Sequence, residues 1–143
     1  MDIFDPLRKK YVRQTPEEEV RQNVIRWLNT EIEIPLAFMA SEYSFTFNRL
    51  QYRADIVVFD RTLNPLVLVE CKAPSVRIDQ NAVDQVIRYN SVLKVRFIFI
   101  TNGKTSYLCA WNSNEGHYDY VSQVPHYQEM LKSDINHDRC SKQ

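Results

Sequence analysis

Three charged residues stand where two apolar runs begin and end. The stretch Arg53–Lys72 reads R-A-D-I-V-V-F-D-R-T-L-N-P-L-V-L-V-E-C-K. Ile56–Phe59 and Leu66–Val69 are the runs, and Asp60–Pro65 is a polar turn segment, so a hairpin is predicted. Asp55 heads the first run, and Glu70 and Lys72 close the second. Antiparallel pairing lays the start of one strand beside the end of the other. Residues i and i+2 of a strand share a face, so Glu70 and Lys72 point one way and Cys71 the other. Two carboxylates and an ammonium then meet at one edge of an apolar sheet.

Charge limits what such a trio can do. Neighbouring carboxylates repel unless a positive charge neutralises them. Lys72 supplies one such charge, and a divalent cation would supply the rest. Carboxylate oxygens completed by water and substrate phosphate are the usual surroundings of Mg²⁺. A cation so placed acidifies water and stabilises charge on a phosphoryl oxygen, and a lysine beside it steadies developing negative charge. The plain alternative is a surface ion pair that caps a hairpin.

The elements that must position these residues are legible around them. Thr15-Pro16-Glu17-Glu18 opens a helix, with Thr15 as N-cap, Pro16 at N1 and Glu18 closing a capping box. Val20, Val24, Trp27, Leu28 and Ile32 follow as one apolar stripe. Glu18 is read first as a cap, a role compatible with reaching the acid pair from the first helix. Glu42–Phe47 alternates as a half-buried strand that pairs with the hairpin. Ile78–Leu93 is predicted as a second helix, with Ala82, Val83, Val86, Ile87 and Leu93 on its buried face. Gln85 and Tyr89, at i and i+4, project together beside that face. Val95–Ile100 is a continuous apolar run, hence a strand covered on both faces, which makes a β-α-β crossover with what precedes it. Thr101-Asn102-Gly103-Lys104 turns the chain into a further strand, Ser106–Trp111. Residues 117–131 read as a short strand or loop followed by a short helix from about Pro125. Residues 1–14 read as an N-terminal arm without periodicity, 15–112 as the core, and 113–143 as a C-terminal extension whose tail frays after about 132.

Composition bounds the function. The chain has 143 residues, enough for one domain with a real core. Hydrophobic residues make up 44% and charged residues 25%, the globular norm, so disorder is expected only at the ends. No membrane-length apolar run or signal peptide is present. Three cysteines, two of them in predicted strands, suit a reducing cytoplasm; Cys140 falls in the polar tail. Three scattered histidines suggest no zinc site. Gly103-Lys104-Thr105 lacks the upstream glycine (Ile98 stands there) and the helix that a nucleotide-binding loop needs, so no ATP site is expected. The net charge is zero. DNA contact must therefore be local, through Arg49, Arg53, Lys72 and Arg77, and weak for the domain alone.

The spacing of Asp55, Glu70 and Lys72 resembles the active-site motif of the PD-(D/E)xK nucleases, with Ala54 in place of the leading proline. Further strings stand in order: T-P-E-E-x-V-R-Q at 15–22, A-D-I-V-V-F at 54–59, V-E-C-K-A-P at 69–74, Q-x-x-x-Y at 85–89 and T-N-G at 101–103. Together they resemble the N-terminal nuclease domain of type I restriction enzyme R subunits, over roughly residues 10 to 112. The resemblance implies a restriction-endonuclease-like α/β fold, with a mixed sheet of about five strands flanked by helices. It implies a Mg²⁺-dependent DNA endonuclease, with Mn²⁺ as a substitute. Asp55, Glu70 and the Cys71 carbonyl would hold the metal, and Lys72 would position the attacking water. Glu18, Gln85 and Tyr89 would be accessory, and Arg53 and Arg77 would contact DNA. The motor and DNA-recognition parts of that family have no counterpart here, so separate motor or specificity subunits are expected partners. The second reading is a non-catalytic module that binds nucleic acid or protein on the same fold.

Overall fold

A computed structural model describes residues 1–90 and 93–132, with Phe47 described by its backbone alone. Eight strands are present among them: β1 (Asp2–Asp5), β2 (Lys10–Arg13), β3 (Met39–Phe47), β4 (Leu50–Phe59), β5 (Pro65–Cys71), β6 (Phe97–Thr101), β7 (Ser106–Asn112) and β8 (His117–Val121). The helices are α1 (Pro16–Thr30), α2 (Gln80–Asn90) and α3 (127–132). β3 to β8 form one six-stranded sheet in sequence order, and β1 and β2 form a separate hairpin. Within the six, only β5 and β6 run parallel, joined by α2 as the predicted crossover. β8 is one strand more than the five expected.

Period-two alternation in the central strands builds two cores. Val58, Val67, Val69, Phe97 and Phe99 pack on one face with Val20, Val24, Ile25 and Leu28 of α1. Val57, Leu68, Ile98 and Ile100 pack on the other with Val83 and Val86 of α2. The sheet is therefore sandwiched, which is why the β4, β5 and β6 sequences are nearly unbroken apolar runs. Tyr127 and Met130 of α3 close the α1 side, and Tyr127 donates its hydroxyl to the Phe59 carbonyl at 2.7 Å. Part of the segment 121–131 thus belongs to the core.

Several boundaries differ from expectation for local reasons. The Thr15 hydroxyl accepts from the Glu18 amide at 3.1 Å, so the N-cap is as predicted, but the Glu18 carboxylate does not close the capping box, because it bonds Arg8, Arg21 and Gln22 instead. Helix α2 begins at Gln80 because the Asp79 carboxylate accepts from the Ala82 amide at 2.9 Å and caps it there; Ile78 is buried ahead of it. Strand β3 begins at Met39 because Met39, Ala40 and Ser41 also pair with β4. The first fourteen residues are not an irregular arm. They form a hairpin that buries Asp5 completely while leaving Phe4 and Tyr11 exposed. The predicted frayed tail, Cys140 included, lies outside the described residues.

Candidate active site

Asp55 sits where β4 changes its facing. Ala54 packs with the α2-side core and Ile56 with the α1-side core, although i and i+2 should share a face. Opposite this point Glu42 has φ +52, and the β3–β4 register omits the Glu42–Asp55 pair. The reversal lets the Asp55 carboxylate reach across the strand ends. Its Oδ2 accepts from the Cys71 amide at 2.7 Å, and its Oδ1 accepts from Arg21 Nη2 at 3.2 Å.

Glu70 and Lys72 lie on the α2 side of β5, opposite buried Cys71, as the strand period requires. Burial pushes the Glu70 carboxyl up to about 8, and the charge of Asp55 and its hydrogen bond push the same way; Lys72 opposes them. The two carboxyls are close enough to share a proton. The Lys72 amide donates to the Thr101 carbonyl at 2.8 Å, which anchors the strand end. The T-N-G string braces the segment that follows. Asn102 donates to the Val76 carbonyl at 2.8 Å and accepts from the Lys104 and Thr105 amides. Gly103 has φ +88, where an L side chain is strained.

A cleft of about 250 Å³ opens over Glu70 and Lys72, lined also by Arg53, Ala82, Gln85, Val86 and Tyr89. The i, i+4 pair of α2 therefore overhangs the end of β5. Tyr89 also accepts from the Arg53 amide at 3.3 Å and stands edge-to-face on Tyr52, 4.7 Å between ring centres. Arg77 is exposed between β5 and α2, outside that lining.

The side facing α1 is built differently. Glu18 Oε1 accepts from Arg8 Nη2 at 2.7 Å and from Arg21 Nη1 at 2.8 Å, and its Oε2 accepts from Gln22 at 3.0 Å. Both guanidiniums also approach Glu42, at 3.4 and 3.5 Å, and Arg8 pairs with buried Asp5. Burial alone would raise the Asp5 carboxyl, but hydrogen bonds from Arg8 and the Leu7 and Arg8 backbone hold it below the usual range. The Glu18 carboxylate thus serves not the helix cap but the site: it grips Arg21, which grips Asp55. Sequence reasoning missed Arg8, Arg21, Gln22 and Glu42. Arg21 carried a signal, since it stands at i+3 from Glu18 in the T-P-E-E-x-V-R-Q string.

The donor set suits a hard cation. Asp55, Glu70 and the backbone offer oxygen only, and the Asp55 carboxylate, bonded to Arg21, the Cys71 amide and Glu70, still has lone-pair capacity to spare. Burial and the Asp55 charge both raise the Glu70 carboxyl, and a positive charge beside the pair would offset that. Among the described residues no three or more His, Cys, Asp or Glu side chains converge as a metal nest. The protein's share would come from two carboxylates and a carbonyl, as is usual for Mg²⁺.

A mixed sheet between helices, with an acid pair and a lysine at the ends of its central strands, defines a restriction-endonuclease-like α/β domain. The chain belongs to the family of type I restriction enzyme R protein N termini, whose model matches residues 16–125. Among solved structures it is similar to a fragment assigned to the HsdR subunit of a type I restriction enzyme from Vibrio vulnificus, with 23% identity and a TM-score of 0.53. That match covers 71% of this chain and 21% of the Vibrio chain, so this chain spans about a fifth of that relative. It is also similar to a protein assigned as a nuclease of the DUF820 group from Anabaena variabilis, with 12% identity, a TM-score of 0.50 and 87% of each chain covered. No curated protein matches the chain. No helix among the described residues is long and apolar enough to cross a membrane.

Proposed function

We propose that this domain hydrolyses DNA phosphodiester bonds with Mg²⁺ or Mn²⁺, using Asp55, Glu70 and Lys72. The observation that carries the reading is the shared cleft. Glu70 and Lys72 line it with Arg53, Gln85 and Tyr89, and Asp55, outside the lining, is reached through its hydrogen bond with Glu70. Asp55, Glu70 and the Cys71 carbonyl hold the cation. When bound, it supplies a Lewis acid for the phosphoryl oxygen and a more acidic water. Lys72 shares the Glu70 face without being a ligand, so its ammonium orients the water and steadies charge developing on the phosphate. Arg53 reaches the DNA backbone from the exposed rim, and Gln85 and Tyr89 cover the site. Arg77, outside the cleft, contacts DNA only where the duplex extends past the β5–α2 segment. The chain is neutral overall, so DNA is held weakly without separate motor or specificity subunits.

Supercoiled plasmid incubated at low salt with Mg²⁺ or Mn²⁺ should be nicked slowly and with little sequence preference. Lys72→Ala should lower that rate by about 10²–10³-fold, while calorimetry shows Mn²⁺ binding unchanged. Equal nicking by both proteins, or tight Mn²⁺ binding by Asp55→Asn, would overturn the reading.

A further inference from the structure

The far end of the β3–β4 hairpin projects from the sheet. β4 pairs with β5 only over Ile56–Phe59, whereas β3 and β4 stay paired to Phe47–Leu50. The segment Ser44–Arg53 therefore extends past the acid pair as a two-stranded arm. It carries Arg49 and Arg53 and no carboxylate, in a chain that is neutral as a whole. Both arginines are exposed, as is Leu50 at the tip.

Two observations set this arm apart from an ordinary hairpin. The first is its turn. Asn48 and Arg49 have φ +50 and +67, the pattern of a two-residue type I′ turn. Glycine is the favoured residue at the second of these positions, and a side chain there costs about 1 kcal/mol or more. An arginine is held in that strained place. The second is a run of rings. Phe45 stacks on its cross-strand partner Tyr52 at 5.2 Å, and Tyr52 meets Tyr89 at 4.7 Å. Tyr89 is 40% exposed and lines the cleft, so the run opens directly onto Glu70 and Lys72.

We propose that this arm binds an unpaired DNA strand beside the acid pair, stacking bases on Tyr52 and Tyr89 and holding phosphates with Arg49 and Arg53. This rests on reading the acid pair as a DNA nuclease site and names its substrate class. A duplex hides its base faces, so exposed Tyr89 and half-buried Tyr52 gain contact only with unstacked bases. Stacking is also the source of affinity that a neutral chain can use. One base on one ring is worth about 1–3 kcal/mol without phosphate neutralisation, while two arginines alone give weak, salt-sensitive binding. The predicted cuts fall at gaps, frayed ends, flaps and the transiently unpaired stretches of a supercoiled plasmid, rather than within relaxed duplex.

The test measures fluorescence anisotropy of a short labelled DNA strand and of its blunt duplex, with EDTA present so that nothing is cut. The strand should bind the wild-type protein at least about five-fold tighter than the duplex, the lower end of one base stack. Arg49→Gly should make the dependence of log K on log salt shallower by about 0.7, one single-strand phosphate contact. The same change should raise the melting temperature, because glycine relieves the turn. Tyr52→Leu should reduce strand binding about five-fold and leave Mn²⁺ titration unchanged. Equal or tighter duplex binding overturns the inference, as does an unchanged salt slope in Arg49→Gly. If strand preference fails while wild type still binds Mn²⁺ through Asp55, only this inference falls. If Mn²⁺ binding fails while strand preference holds, the nuclease reading falls and the arm remains a strand-binding surface.

Discussion

The two sides of Asp55 are built on opposite plans. Towards α1, Arg21 is 6% exposed and bonded to Glu18 and Asp55, and Arg8 of the N-terminal hairpin shares the same Glu18 oxygen. Towards α2, Glu70 and Lys72 are half-buried under an open cleft whose rim residues, Gln85 and Tyr89, are exposed. The first side is crowded with fixed charge pairs. The second holds a carboxyl that burial and the nearby Asp55 charge push up to about 8, against the opposing charge of Lys72. One side therefore fixes the geometry of Asp55, and the other is left short of positive charge, which is what the proposed metal-dependent chemistry requires.

The most damaging change should fall on the fixed side. Arg21→Met keeps most of the volume but takes the guanidinium from Asp55 and leaves Glu18 with only Arg8 and Gln22. Breaking a buried pair from one end costs about 3–5 kcal/mol. Urea denaturation should show a loss of that size, against less than about 0.5 kcal/mol for Gln85→Ala on the exposed rim. Losses of similar size in the two variants would dissolve the contrast between the sides.

A second measurement addresses the open side. The Glu70 carboxyl lies near 8 in the fold against 4.5 ordinarily. The native state therefore holds the proton more tightly than the unfolded chain does. Its contribution is fully present below about pH 4.5 and is lost as the pH rises towards 8. With chelator present, melting temperature should fall across that window. Glu70→Gln should flatten the fall, and saturating Mg²⁺ should do so in the wild type. A slope that persists undiminished in Glu70→Gln would place its origin elsewhere.

The open side was the more legible in sequence, for a physical reason. Asp55, Glu70 and Lys72 are positioned by strand period and antiparallel pairing, and Gln85 and Tyr89 by helical spacing. These are local rules. The fixed side depends on a hairpin whose polarity is inverted: Asp5 is buried, while Phe4 is 51% and Tyr11 70% exposed. No rule that buries apolar residues could have found it. The reversal at Asp55 was invisible too, because it depends on Glu42 at positive φ, a conformation that sequence reasoning expects of glycine. The Asn48-Arg49 turn escaped for the same reason. The fold class survived these misses because alternation in β4, β5 and β6 is dictated by burial on both faces.

The smallest expected effect separates the roles of Glu18. Glutamine at this position leaves the Thr15 cap intact, since that bond uses the Glu18 backbone amide. It removes the charge that Arg8 and Arg21 share on Oε1, while an amide oxygen can still accept from one of them. Charge-assisted bonds are worth roughly 1.5–3 kcal/mol and neutral ones about 1. Glu18→Gln should therefore lower stability by about 1–2 kcal/mol, less than Arg21→Met, because neither guanidinium loses every acceptor. Mn²⁺ affinity should weaken only slightly, since Glu18 touches Asp55 through Arg21 and not directly. A sharp loss of Mn²⁺ binding with an unchanged melting temperature would instead make Glu18 a ligand and move the fixed side into the metal site. Unchanged stability and unchanged metal binding would show that Asp5, Glu42 and Asp55 suffice to hold both arginines, and that the network is more redundant than its geometry implies.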